Sequence, residues 1–300
     1  MISSNIGYQF LDWSHDQIDN SEPFKHEGSL STLILTPQVT IGLTDWWNIT
    51  LAQNIGQRNM DWYPLVESKH HQDSNSKSDF FNVIGGYLGD TKISFKYLLT
   101  NTGKGIGTRI FLGSGFILPS KNQLTKSPFL KDDQNDYYEH RHFSMSSGAT
   151  KVNFSVQAYY KRKSNPVFFG FSLNYDKPIK DSKYGYSGSD YYEFAFTGIF
   201  NENNIFKRPI SVNIIYTHTS EAYWNDILAP NSKINIIVPG IGFFGNFNTI
   251  SYSINIQKPI FLDIVMQESG ENDLNQKANG IQLSISFRYI LDYQIPWLYW

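Results

Sequence analysis

Along most of the chain, large apolar residues alternate with polar or small ones. The last long run shows it plainly: Ile281, Leu283, Ile285, Phe287 and Tyr289 are interleaved with Gln282, Ser284, Ser286 and Arg288. Successive side chains of a strand point to opposite faces, so each such run is greasy on one face and wet on the other. A soluble sandwich shares that period. Here the polar set suits a water-filled lumen and the apolar set a lipid-facing wall.

Read against turn residues, the alternation predicts twelve strands, near residues 4–12, 29–43, 47–58, 86–101, 105–118, 142–162, 166–177, 190–201, 208–219, 232–245, 248–260 and 279–293. The connections alternate in length. Short ones fall at 44–46, 102–104, 163–165, 201–207 and 246–247, and long ones at 13–28, 59–85, 119–141, 178–189, 220–231 and 262–278. An even strand count with short turns on one side and long loops on the other is how bacterial outer-membrane barrels are built. The segment around Phe80–Gly86 is read as loop leading into the fourth strand, since a strand of its own would break the parity. The expected fold class is therefore all-β: one antiparallel transmembrane β-barrel domain over residues 1–300, with periplasmic turns and extracellular loops.

Alternation also assigns faces. Ile93, Phe95, Tyr97 and Leu99 are expected to face lipid, as are Val152, Phe154, Val156 and Ala158, then Phe169, Phe171, Leu173 and Tyr175, and Ile250, Tyr252, Ile254 and Ile256. The inward set then includes Lys92, Lys96, Arg109, Lys151, Lys161 and Arg288, opposed by Asp176 and Glu193. A cation on the lipid face at mid-bilayer costs roughly 2–4 kcal/mol, which is why the greasy set lacks them. A basic lumen concentrates anionic solutes. The plainer alternative is that these cations pair with Asp176, Glu193 and loop carboxylates and fill a narrow barrel with its own side chains.

Composition narrows the rest. No run of 18 apolar residues occurs, because Ser, Thr, Asn, Gln or Gly interrupts every apolar stretch, so helical spanning is out. Aromatics reach 16% against 17% charged residues, a surplus that suits interfacial girdles. A net charge of -2 gives no basic footprint for nucleic acid. The chain has no cysteine, which removes disulfides, thiolate metal sites and a Cys nucleophile. Residues 1–5 lack the basic and apolar regions of an export signal, and Met1 is read as the start of a mature or trimmed form.

The histidines, His15, His26, His70, His71, His140, His142 and His218, all fall on the outer loops or outer strand ends of this topology. No spacing among them enforces a coordination geometry, so no metal and no cofactor is expected. His142-Phe143-Ser144 has the spacing by which outer-membrane phospholipase A sets an imidazole beside a nucleophilic serine on one strand. The Asn-Gly that follows the serine in that family is missing, and no orienting third residue can be named, so hydrolase stands as a remote alternative and no enzyme is expected.

At Gly42-Leu43-Thr44-Asp45, at Gly86-Tyr87-Leu88-Gly89-Asp90-Thr91 and at Gly113-Ser114-Gly115-Phe116-Ile117-Leu118-Pro119, the chain resembles the outer-membrane channel family associated with phenol meta-cleavage degradation. In that family a Gly-Leu-Thr-Asp turn, a Gly-x-Gly-Asp lead into a strand and a strand ending near Pro-x-Gly recur. Here one extra residue separates Gly86 from Gly89, and Pro119-Ser120-Lys121 lacks the glycine. The resemblance implies passage of small, aromatic molecules across the outer membrane and carries no catalytic residues. The expectation is a channel for small solutes, aromatic or anionic, with membrane lipid and the solute as its partners. The alternative is a non-conducting barrel that binds a ligand through its long loops, where Trp62, Tyr63, Tyr137 and Tyr138 would be the contacts.

Overall fold

The computed structural model describes residues 1–15, 26–63, 80, 85–103, 105–127, 143–201, 208–229, 232–264 and 277–292. Its strands, in chain order, are β1 (Ile2–His15), β2 (His26–Gly42), β3 (Trp47–Tyr63), β4 (Leu88–Asn101), β5 (Gly107–Leu118), β6 (Thr150–Lys161), β7 (Phe168–Lys180), β8 (Tyr186–Ser187), β9 (Tyr191–Phe200), β10 (Ile210–Thr219), β11 (Tyr223–Trp224), β12 (Ile227–Leu228), β13 (Ile234–Phe247), β14 (Ile250–Gln257), β15 (Ile260–Ile264) and β16 (Lys277–Tyr289).

Every long strand pairs antiparallel with its neighbour in the chain. The ring closes where β1 meets β16, in unbroken register from Ile2↔Tyr289 to Ser14↔Lys277, and where β10 meets β13. Because β14 and β15 both pair with β13 and are parted by Lys258-Pro259, they form a single crossing. Proline has no N–H to give the ladder, which is why the strand predicted at 248–260 is interrupted there and resumes at Ile260. Counted so, the thirteen-stranded sheet makes twelve crossings, and both ends of the barrel chain lie on the side of the short turns. Closure at both seams joins the long strands into one ring through their backbones, which is what lets strands cross hydrocarbon.

The outer face carries the apolar set. Leu33, Leu51, Phe95, Phe154, Phe171, Val212, Ile241, Ile256 and Ile281, drawn from strands right around the ring, are all exposed. A monomer in water does not leave so continuous an apolar band uncovered, so the band faces lipid and the barrel spans a membrane. Phe95, Leu99, Phe154, Phe171, Ile250 and Ile256 of the expected lipid-facing set are among its exposed residues.

Two expectations about the loops are corrected. The strand predicted from 142 begins at Thr150. Before it, Phe143, Ser144, Ser146 and Ala149 are buried, and Gly148 takes φ 78, a left-handed turn that ends any extended run and that glycine tolerates without strain. Trp62 and Tyr63, expected in a loop, are the last two residues of β3, paired with Gly28 and Glu27 of β2. Beyond the wall, β8, β11 and β12 form a small separate sheet over the outer mouth, which alternation in loops this short could not announce.

Candidate functional site

The functional surface of a barrel is its inner face, and the polar half of each strand builds it. On a concave face, side chains from strands two apart converge. Lys96 of β4 donates from Nζ to Oε1 of Gln157 on β6, 2.8 Å away, across Gly113 of β5. On the far side Gln257 of β14 donates from Nε2 to Oδ1 of Asn213 on β10 at 3.1 Å, across Gly240 of β13. A Cβ on Gly240 would sit 2.6 Å from that Asn213 oxygen and 2.5 Å from Gln257 Cγ. Glycine is what lets the two amides meet.

Two unlike walls result. Around β13, β14, β16 and β1 the inward groups are neutral: Asn213 and Gln257, then Asn255 with Ser284, and Ser286 donating to Asn5 at 2.9 Å. Arg288 lies exposed at the periplasmic end of this wall, opposite Ser3. From β4 to β6 the wall is cationic, with Lys92, Lys96, Arg109, Lys151 and Lys161 on inward positions by register. Arg109 is committed to the turn, donating to the Gly103 carbonyl at 3.2 Å.

The carboxylates expected to oppose these lysines are occupied otherwise. Asp176 accepts from the Asn153 amide, and Glu193 accepts from Asn174 at 2.9 Å and from the Tyr191 hydroxyl at 3.0 Å. Among the described residues neither carboxylate forms an ion pair with a lysine. Among the described residues Lys233 pairs with Glu221 at 3.7 Å, outside the lumen on the exposed outer loops, where such pairs contribute little.

Residues 119–127 and 143–149, between β5 and β6, fold against the wall at the outer mouth. Ser120 reaches back to the wall, its hydroxyl donating to the Leu88 carbonyl at 2.8 Å and its N–H to Asp90 at 3.3 Å. Arg58 donates to the Ser144 carbonyl at 3.1 Å, and the Met145 methyl lies where a Cβ on Gly56 would have to go. Gly89-Asp90 is an extra residue in β4 against β3, a bulge that turns the carboxylate toward this loop. Above it Leu124, Ala222, Trp224 and Ala229 form a buried core, with Tyr184 and Tyr186 against it. Gln123 ties the parts together, bridging to Ser146 and accepting from Ser182 at 2.9 Å.

Sequence reasoning missed this inward-folded loop, because Asn122, Gln123 and Ser146 are buried polar residues and polarity alone reads as solvent exposure. The Gly89-Asp90 pair was the available signal. Tyr137, Tyr138 and His142 lie outside the described residues, as do His70, His71 and His140. The same-strand arrangement behind the hydrolase alternative fails on the serine: Ser144 precedes β6. Among the described residues no three of His, Asp and Glu converge as metal ligands.

No family model and no curated protein match the chain. Solved structures of similar shape include an outer membrane channel from Pseudomonas putida F1, at 10% identity over 94% of both chains with a TM-score of 0.46. The TodX monoaromatic hydrocarbon channel, as a deletion mutant, is 10% identical, with 95% of this chain and 89% of that one covered and a TM-score of 0.43. The translocator domain of the autotransporter NalP from Neisseria meningitidis is 9% identical, with 96% and 88% covered and a TM-score of 0.38. Likeness at this level decides nothing about solute.

Proposed function

We propose that this chain is an outer-membrane channel for small solutes, and that its cationic wall gives it a preference for anions. The observation that carries the proposal is the placing of Lys92, Lys96 and Lys151 on inward positions of adjoining strands while Asp176 and Glu193 are engaged by amides and a phenol. Ammonium groups that outnumber the carboxylates along a narrow polar wall attract anions and repel cations, and Asp90, close enough to Lys151 to feel its charge, offsets only part of that field. Lys161, Arg109 and Arg288 extend the same field to the periplasmic end. Twelve strands enclose less space than a porin's sixteen, and the inward loop narrows the outer mouth further, so passage is limited to small solutes. The aromatic cargo implied by the family resemblance is kept as part of this reading.

Conductance of the refolded protein in a planar bilayer under a salt gradient tests it. Discrete steps with a reversal potential displaced toward anions are expected. A folded barrel that never conducts would overturn the proposal in favour of a surface barrel working through its outer loops, where Trp62, Tyr63, Tyr137 and Tyr138 would be the residues to replace.

A further inference from the structure

Near the periplasmic end of the cationic wall, three inward aromatic side chains meet. The Tyr159 ring of β6 stacks on Phe168 of β7, with centroids 5.5 Å apart and planes 30° from parallel, and meets Phe111 of β5 edge-on at 6.0 Å. Gly170, paired with Tyr159, is the floor beneath them: a Cβ there would stand 3.1 Å from Phe168 and 3.4 Å from Tyr159. All three rings keep part of their surface open. Gln157 pairs directly with Phe111 and is two residues from Tyr159 on the same face. That glutamine is the group to which Lys96 donates. The ammonium is thereby held on the same inner face as the aromatic cluster, bonded to the residue that pairs with Phe111. A lysine ammonium has three N–H donors, and one is committed here.

From this juxtaposition we infer a binding subsite for a small planar organic anion, an aromatic ring bearing one carboxylate. Lys96, steadied by Gln157, takes the carboxylate, and the open surfaces of Phe111, Tyr159 and Phe168 take the ring in offset or edge-on contact. The inference deepens the channel reading by naming its cargo. It differs from the two bland roles of these groups: rings that merely fill the barrel would show no preference for a charged ligand, and a lysine that merely sets the field would show none for an aromatic one.

The test is equilibrium binding to the refolded full chain in detergent, read by calorimetry, with benzoate as probe and two controls. Cyclohexanecarboxylate keeps the charge and loses the ring, and benzyl alcohol keeps the ring and loses the charge. Benzoate is expected to bind more tightly than either. Lys96→Gln should weaken benzoate by about tenfold or more, the low end of what a hydrogen bond to a charged group contributes, and bring it level with benzyl alcohol. Phe168→Leu should bring benzoate level with cyclohexanecarboxylate while leaving the charge preference in place. Lys96→Arg, which keeps the charge, should retain benzoate binding and guards against a variant that fails to fold. Equal binding of all three probes by the unaltered chain, or benzoate binding indifferent to both replacements, would overturn the subsite. Binding without conductance would sink the channel reading and leave the subsite standing; conductance without benzoate binding would do the reverse.

Discussion

The two walls of the lumen use the same strand architecture for different ends. On the neutral side amides and hydroxyls answer one another, as Gln257 does Asn213, Asn255 does Ser284, and Asn5 does Ser286. On the cationic side Lys96 has Gln157 for company and, among the described residues, no carboxylate hydrogen-bonded to it, while Asp176 and Glu193 are engaged by Asn153, Asn174 and Tyr191. A satisfied polar ladder stabilises the barrel and offers little to a passing solute. An ammonium that keeps free donors contributes less to the fold and can exchange its partners for a ligand. The difference separates the part of the inner face that holds the barrel together from the part that can do work.

Breaking the neutral wall should cost the most. Gly240→Leu forces a side chain into the Asn213–Gln257 contact, and a loss of about 1–3 kcal/mol is expected from overpacking and the parted amides. It would show as a lower urea midpoint in detergent with anion preference unchanged. On the opposite wall the signs exchange. Lys96→Glu should change the anion-to-cation permeability ratio by about tenfold, equivalent to ~1.4 kcal/mol, as one reversed charge in a narrow polar passage supplies, with the urea midpoint little moved. If it moved stability instead, the division into two walls would be wrong.

A gentler probe sharpens the same contrast. Asn255→Ala removes one neutral hydrogen bond and should cost about 0.5–1.5 kcal/mol of stability, with no shift in reversal potential. The smallest effect is expected outside both walls. The Tyr223 hydroxyl donates to Glu221 at 2.8 Å on the outer loops, and that hydrogen bond, helped by the carboxylate's charge, holds the phenol above its ordinary pKa. The neutral phenol is the favoured form, so the contact is present below the ordinary tyrosine range and lost as pH rises through the raised value. Glu221→Gln should return Tyr223 to ordinary titration, followed by ultraviolet absorbance, and leave conductance and stability alone.

Much of the wall was legible in the residue pattern. A period of two that runs through Phe95, Phe154, Phe171 and Ile256 leaves one face to lipid whatever the partners, because a one-residue slip would bury lysines in hydrocarbon. The strand pattern and the short-long parity then led to a closed ring. The loop between β5 and β6 was not legible. Its buried Asn122, Gln123, Ser144 and Ser146 have no period, and their places are fixed by Arg58, Asp90 and Ser182, residues far off in sequence.

The sequence by itself determined that this chain is a membrane-spanning barrel, since alternation is a local property and the lipid enforces it residue by residue. That Lys96 meets Gln157, that Phe111, Tyr159 and Phe168 meet, and that the polar residues around Asn122 and Ser146 fold into the mouth were decided by the tertiary structure alone. Those facts depend on register between strands and on curvature that brings side chains from strands two apart together, and neither is written in the period of any one strand.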